Sequence, residues 1–290
     1  MKADRRYQLI FLVSFLVLVL SAATHVQEQR TAPSSLITAA EREEFLLQAG
    51  IVSDRRDRAH PNAWRVSLGD GQRKHDASVE TEDGTTPSRR NYRFNVAAYE
   101  LDKALELYLV PPSVVRTVNG RPASVTWWVD NVAMSEGDRR EKKIEPPDAE
   151  GWNKQMEAVR VFDELLSNPY RNIRPQRVLS TSDDGPPPSY SWGELLITRD
   201  WSMALIDHTG AFRARRQLEH PESLLRCDRA LLGKLRVLNK EVFQQKLMKY
   251  LSPEQLDALE FRRALLVTHF DEQIARRGAG AVLYDLPPRR

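Results

Sequence analysis

One block of the sequence, residues 159–212, constrains the fold more than any other. It contains two short apolar runs, Leu195–Thr198 and Met203–Ile206, separated by the turn Arg199-Asp200. Short apolar runs on either side of a polar turn predict a β-hairpin. Asp207 directly follows the second run, so the pattern predicts a carboxylate at the mouth of this hairpin. Such carboxylates commonly hold the metal ion that binds a phosphate group.

The rest of the pattern predicts an α+β protein in two parts. An amphipathic helix is predicted at Phe94–Tyr108, and the turn Asn119-Gly120 between two β-rich runs predicts a hairpin,. Helices are predicted at Asn153–Leu166 and at Pro253–Arg277, the latter because proline is favoured in the first turn of a helix,. The predicted parts are a tether and short helix at 24–50, a small β-rich N-lobe at 51–130, a charged connector at 131–150, and a larger, mostly helical C-lobe at 151–285 with an insertion at about 173–191.

The first 23 residues have the pattern of a secretory signal peptide. Lys2, Arg5 and Arg6 precede the apolar run Leu9–Leu20, and three small residues follow it. A basic segment, a short apolar segment and small residues are typical of a cleaved export signal. Left uncleaved, the same run would be a membrane anchor. The segment therefore predicts an exported protein, periplasmic or extracellular, which contacts a membrane only through this segment if it is uncleaved.

Charge and cysteine content narrow the possible functions. The formal net charge is +3, of which the first 23 residues contribute +2, so the rest of the chain is near +1. A charge this small gives no support to nucleic-acid binding. Cys227 is the only cysteine, so the chain cannot form an intramolecular disulfide,.

Several segments resemble a known family. Residues 159–172 read VRVFDELLSNPYRN, and residues 192–212 read WGELLITRDWSMALIDHTGAF. Both resemble the catalytic segment of bacterial proteins related to the atypical kinases, the group of phosphoinositide-kinase-like and secretory-pathway kinases. KKIEPPDAEGWNKQM at 142–156 and CDRALLGKLRVL at 227–238 strengthen the resemblance, which extends over about residues 60–285. It implies a two-lobed, protein-kinase-like fold.

The resemblance also implies roles for individual residues, and two of them depart from the family pattern. Asp207 matches the family's metal-binding Asp, while Glu194 replaces a metal-binding Asn and keeps an oxygen ligand,. Tyr170 stands where the family has the Asp that orients the acceptor hydroxyl. A phenol, whose pKa is ordinarily near 10, is a poor base at neutral pH. Asp183 and Asp184, within the insertion, are the candidates for a substitute base.

Kinases pair a lysine on a strand of the N-lobe with a carboxylate on a helix. Lys74 and Glu100 are the pair that this sequence offers, with two ordinary surface charges as the alternative. Trp127 and Trp128 fall at the predicted lobe junction, where one could stack on adenine or another flat ligand while the other faces the core,. The cofactor that the resemblance implies is ATP or ADP with Mg²⁺ or Mn²⁺, although the altered motif also fits a protein with no cofactor.

Three functions are compatible with these features. The first is an exported, degenerate kinase-fold module, pseudokinase-like, that binds nucleotide or metal or regulates a protein partner. The second is an active atypical phosphotransferase with a rebuilt base, and the third is a structural domain with an empty cleft. Tyr170 favours the first, and so does export, because nucleotide triphosphates are scarce outside the cytoplasm.

Overall fold

The computed structural model describes residues 37–55, 63–82, 91–168 and 194–287. The chain divides into two units, residues 1–38 and 39–290, and the first has only its last two residues within the described ranges. The predicted signal peptide, Tyr170, and the insertion with Asp183 and Asp184 lie outside these ranges. Among the helices within them, none combines the length and apolar character that a membrane span requires.

The smaller lobe is built on a five-stranded antiparallel sheet. Its strands are β1 (Gly50–Arg55), β2 (Ala63–Gly69), β3 (Lys74–Thr81), β4 (Ser113–Val118) and β5 (Arg121–Trp127), in the spatial order β1-β2-β3-β5-β4. Asn119 and Gly120 join β4 to β5 with φ angles of 51° and 76°. Two consecutive positive φ angles match the twist of a tight hairpin, so the predicted hairpin is confirmed. In this order β3 is the central strand of the sheet.

Two helices accompany this sheet, α1 (Ala39–Gln48) and α2 (Arg93–Leu105). Arg116 on β4 donates hydrogen bonds from Nη1 to the carbonyl oxygens of Leu46, at 2.7 Å, and Ala49, at 2.9 Å. These bonds satisfy carbonyls at the end of α1 that have no partner within the helix. The apolar side of α2 packs into the core of the larger lobe, so this helix connects the two lobes.

The larger lobe begins with β6 (Val132–Ser135), α3 (Glu136–Glu141) and α4 (Ala149–Leu166), followed by β7 (Leu195–Thr198) and β8 (Met203–Leu205). The β7/β8 hairpin confirms the sequence prediction, and β6 joins it to form a three-stranded sheet. The sequence predicts a connector at residues 131–150, but this segment also contributes β6 and α3 to the larger lobe. The Glu136 carboxylate is fully buried, and it lies 2.6 Å from Nε of both Arg139 and Arg140. The charges that suggested an exposed connector neutralise one another locally.

The remaining elements are β9 (Cys227–Asp228), α5 (Arg229–Val237), α6 (Lys240–Leu247), α7 (Pro253–Arg277), α8 (Ala279–Val282) and β10 (Leu283–Tyr284). The α7 bounds agree with the prediction. The Ser252 side chain accepts a hydrogen bond from the Gln255 backbone, and the Gln255 side chain accepts one from the Ser252 backbone. This reciprocal cap, with Pro253 in the first turn, explains why the helix begins there. Cys227 is buried, and burial raises the pKa of its thiol.

Candidate functional site

A cavity of about 570 Å³ lies between the sheet of the smaller lobe and the β7/β8 hairpin. It is lined by Arg65, Ser78, Glu80, Asn95, Val110, Ser113, Thr126, Trp128, Val129, Asp130, Asn131, Val132, Leu196, Arg199, Leu205, Ile206, Asp207 and His208. Both lobes contribute apolar residues, and polar residues come from the sheet of the smaller lobe and from the end of the hairpin. We refer to it as the interlobe cavity.

Asp207 lies at the position that the sequence predicted, immediately after β8, and it lines the interlobe cavity. Its backbone has φ of 48°, a left-handed conformation that Asp adopts more readily than most residues,. Its Oδ1 accepts hydrogen bonds from the backbone N of Thr209, at 3.2 Å, and from Thr209 Oγ1, at 2.5 Å. This turn fixes the carboxylate at the cavity, and its role as a metal ligand stays a prediction.

Glu194, the second predicted ligand, immediately precedes β7 and is 9% exposed. Its carbonyl oxygen accepts a hydrogen bond from Ile206 N at 2.9 Å, so its backbone lies beside the end of β8. Glu194 is not among the residues that line the interlobe cavity. Within the described ranges, no three His, Cys, Asp or Glu side chains form a group that could hold a metal ion. The described residues therefore do not by themselves complete the metal site that the resemblance implies.

The central polar contact of the cavity is made by Asn95 in the first turns of α2. Its Nδ2 donates to Glu80 Oε2 at 3.0 Å and to Ser124 Oγ at 3.2 Å. Its Oδ1 accepts from the backbone N of His208 at 2.7 Å. A single amide, 4% exposed, thus joins β3, β5 and the loop after Asp207. We call this the Asn95 bridge.

The structure does not bring Lys74 and Glu100 together. Lys74 is exposed at the start of β3, where it pairs with Gly69 of β2. The Glu100 carboxylate lies 3.2 Å from Lys103 Nζ on the same helix. Neither residue lines the interlobe cavity. On the central strand, the side chains at the cavity are instead Ser78 and Glu80.

The two tryptophans have different environments, as the alternation of a strand requires. Trp127 is 8% exposed and stacks on His75 with ring centres 3.6 Å apart. Trp128 is 36% exposed and lines the interlobe cavity, with the guanidinium carbon of Arg65 4.2 Å from its ring centre. Arg65 Nε also donates to Asp76 Oδ2 at 2.6 Å. Trp128 is therefore the tryptophan that lines the interlobe cavity, and Trp127 belongs to the core.

The segment after the hairpin is anchored to α4 and α7. Phe212 N donates to the carbonyl oxygen of Leu166 at 2.7 Å. Arg262, fully buried on α7, donates from Nε to the carbonyl of Leu165 at 2.9 Å, and from Nη1 to those of Arg213 at 2.9 Å and Arg215 at 2.5 Å. One guanidinium thus fixes the end of α4 against the chain that leaves the Asp207 loop.

A buried carboxylate holds the far end of the same segment. Glu164 on α4 is 7% exposed, and its Oε2 accepts a hydrogen bond from the backbone N of Glu219 at 2.7 Å. Burial raises the pKa of Glu164 to about 7, although hydrogen bonds from the backbone of Glu219 and His220 oppose the rise. The folded protein therefore favours the protonated carboxyl group.

Glu164→Gln is expected to remove a pH dependence of stability. Because the folded pKa lies above the unfolded value of 4.5, this carboxyl stabilises the fold fully below pH 4.5 and progressively less up to about pH 7,. The wild type should lose up to about 3 kcal/mol over that interval through this group. Urea unfolding at pH 5 and pH 8 measures the difference. Glu272→Gln, an exposed control, should keep the wild-type slope, and a wild-type slope in Glu164→Gln would contradict the expectation.

No protein-family model matches the chain, and no curated protein matches it. Two solved structures of kinase-like proteins are similar. Hydra Fam20, solved with sugar, has a TM-score of 0.58 and 11% identity, over 88% of this chain and 94% of that one. The fold is kinase-like. The Helicobacter pylori proinflammatory kinase CtkA has a TM-score of 0.43 and 10% identity, over 79% of this chain and 93% of that one.

Sequence reasoning missed the residues at the centre of this kinase-like cleft. Glu80 and Asn95 were visible as polar residues on a predicted strand and helix, but nothing in their spacing predicts that they meet. The usable signal is alternation along β3, which places Ser78 and Glu80 on one face of the strand; Lys74 shares that face but lies at the exposed start of the strand,. That signal indicates which side chains face the cleft, although it does not identify their partner.

Proposed function

We propose that this protein is an exported, degenerate kinase-fold module that binds a nucleotide or a related flat ligand in the interlobe cavity and does not transfer phosphate efficiently. The observation that carries the proposal is the Asn95 bridge. Where a kinase pairs a strand lysine with a helix carboxylate, this chain pairs the strand carboxylate of Glu80 with the helix amide of Asn95,. The exported location rests on residues 1–23, and fractionation of expressing cells tests it,.

Phosphoryl transfer depends on positive charge around the transferred group. Among the described lining residues there is no lysine, and the cations are Arg65 and Arg199. Arg65 already contacts Asp76 and the ring of Trp128, while Arg199 is exposed. The Glu80 carboxylate adds negative charge to the cavity. These features support binding without efficient transfer, and so does the resemblance, which matches Tyr170 to the family's acceptor-orienting Asp,.

The apolar wall of the cavity supports a flat ligand. Trp128 and Val129 come from the smaller lobe, and Leu196 and Leu205 come from the hairpin of the larger one. The hydroxyl groups of Ser113 and Thr126 add hydrogen-bonding groups at the same cavity. A cavity with apolar walls and a few polar groups is typical of a small-molecule site, and about 570 Å³ lies in the usual size range,.

Thermal unfolding of the purified protein with ATP or ADP, each with and without Mg²⁺ or Mn²⁺, tests the proposal. A ligand present at about 100 times its dissociation constant stabilises the native state by about 2.7 kcal/mol and raises the melting temperature. Asp207→Ala is expected to abolish any part of that rise that depends on metal. The matched control is Asp271→Ala, which changes an exposed carboxylate on α7 and should leave the rise unchanged.

Two outcomes contradict the proposal in different ways. Robust phosphate transfer by the wild type would support the active phosphotransferase instead, and Ala variants of Asp183 and Asp184 would then identify the substitute base. The absence of any nucleotide-dependent rise would support a structural domain. A rise that Asp207→Ala leaves intact would show that Asp207 is not the metal ligand.

A further inference from the structure

A second cavity, of about 740 Å³, is lined by residues of the larger lobe and by Tyr108 from the loop between α2 and β4, and it shares no lining residue with the interlobe cavity. Its walls include Tyr108, Trp201, Pro146, Pro147 and Pro287, which bring aromatic rings and proline rings to one surface. We call it the C-lobe groove. It contains part of the EPPDAEGWNKQ segment that the kinase resemblance singled out and that the proposed function does not use.

Tyr108 and Trp201, two aromatic residues of these walls, have an uncommon backbone conformation. Tyr108 has φ of 52° and Trp201 has φ of 64°, a left-handed region that bulky residues seldom occupy,. Tyr108 lies between the buried Leu107 and Leu109, and it remains 49% exposed. Trp201 contacts Trp152 edge to face, with ring centres 5.8 Å apart, which fixes its ring at the groove. The fold therefore brings one exposed and one partly buried aromatic ring to the same site.

The charged side chains that line the groove favour a positively charged ligand. Its lining carries four carboxylates, those of Asp148, Glu150, Asp200 and Asp285, against the single ammonium of Lys154. Lys154 lies 2.8 Å from Glu150, and Arg229, from outside the lining, lies 3.1 Å from Asp285. The excess therefore remains negative even when Arg229 is counted.

The Glu150 and Asp285 side chains are each 75% exposed. Surface pairs of this kind contribute little and exchange readily with an incoming cation. Both carboxylates are therefore accessible to a ligand that brings its own positive charge.

We propose that the C-lobe groove binds an arginine-containing, proline-rich segment of a partner protein. Extended proline-rich segments dock in grooves lined by aromatic side chains, because both surfaces are rigid and apolar. Arginine stacks on aromatic rings and pairs with carboxylates, so it complements both features of the groove. An acidic segment would meet like charge at the rim and is excluded.

The test is fluorescence anisotropy of the full-length protein with three labelled hexapeptides, in which arginine, glutamine or glutamate alternates with proline. The arginine peptide is expected to bind at least about tenfold more tightly than the glutamine peptide, and the glutamate peptide should not bind. Arginine and glutamine peptides of equal affinity would overturn the proposal, as would no binding of the arginine peptide up to about 1 mM.

Matched variants locate the site. Glu150→Gln with Asp285→Asn should weaken binding of the arginine peptide about tenfold. Asp271→Asn with Glu272→Gln, which removes the same charge from exposed positions on α7, should leave it unchanged. Equal effects of the two pairs would show attraction by net charge alone and would overturn the proposal.

Tyr108→Asn tests the aromatic wall separately. Asn tolerates a positive φ, so the melting temperature should not fall, while the lost ring weakens binding of the arginine peptide about tenfold. Unchanged binding by this variant would exclude the groove as the site.

Discussion

Replacing Arg262 by methionine is expected to lower the free energy of unfolding by about 4 kcal/mol. The guanidinium is fully buried and donates to the carbonyl oxygens of Leu165, Arg213 and Arg215. Methionine fills much of the same volume, but it leaves these carbonyls without their donor in a place where water does not replace it. Burial lowers the pKa of Arg262 to about 10, because the charged guanidinium has lost its contact with water in the folded protein.

Urea unfolding measures the effect, and α7 offers a matched control. Arg276 lies on the same helix with a side chain 64% exposed and 4.0 Å from Glu272. Arg276→Met should change stability by no more than about 0.5 kcal/mol. Arg262→Lys should be intermediate, since one ammonium cannot reproduce the geometry of the guanidinium. Equal effects of Arg262→Met and Arg276→Met would show that the buried bonds contribute nothing measurable.

Asn95→Asp is expected to destabilise the protein by about 3 kcal/mol at neutral pH. The substitution keeps an acceptor for His208 N, but it replaces the Nδ2 group that donates to Glu80 and to Ser124 by a second carboxylate oxygen. Two carboxylates about 3 Å apart repel, and one of them must take up a proton for the fold to form. The loss should therefore shrink as the pH falls below about 5.

A second substitution that is expected to restore the stability of Asn95→Asp tests the contact more directly than Asn95→Asp alone. Glu80→Gln in the Asn95→Asp background exchanges donor and acceptor across the same contact, and it should recover most of the lost stability. A double-mutant cycle of the two changes isolates the contribution of the contact. If the double variant is no more stable than Asn95→Asp alone, the contact between Asn95 and Glu80 does not stabilise the fold in the way the geometry indicates.

Local sequence patterns predicted most of the elements. The β4/β5 hairpin follows from Asn119-Gly120, because few residue pairs adopt two positive φ angles,. The α7 bounds follow from Ser252, Pro253 and the residues that cap the first turn,. Both signals lie within a few residues of the feature they determine. The prediction of an exposed connector at residues 131–150 was wrong because it rested on a count of charges. The burial of Glu136 depends on packing, which such a count does not show.

The sequence by itself determined that this is an α+β protein with a hairpin that ends in Asp207, and its motifs indicated the kinase-like fold. Only the tertiary structure decided which polar groups meet. It separated Lys74 from Glu100, placed Trp128 at the cavity and Trp127 in the core, and joined Asn95 to Glu80 and to the backbone of His208. Asn95 and His208 are 113 residues apart, so their contact depends on how α2 packs across both lobes. Periodicity reports which face of an element is buried, whereas the partner of a buried polar group is set by the packing of whole elements.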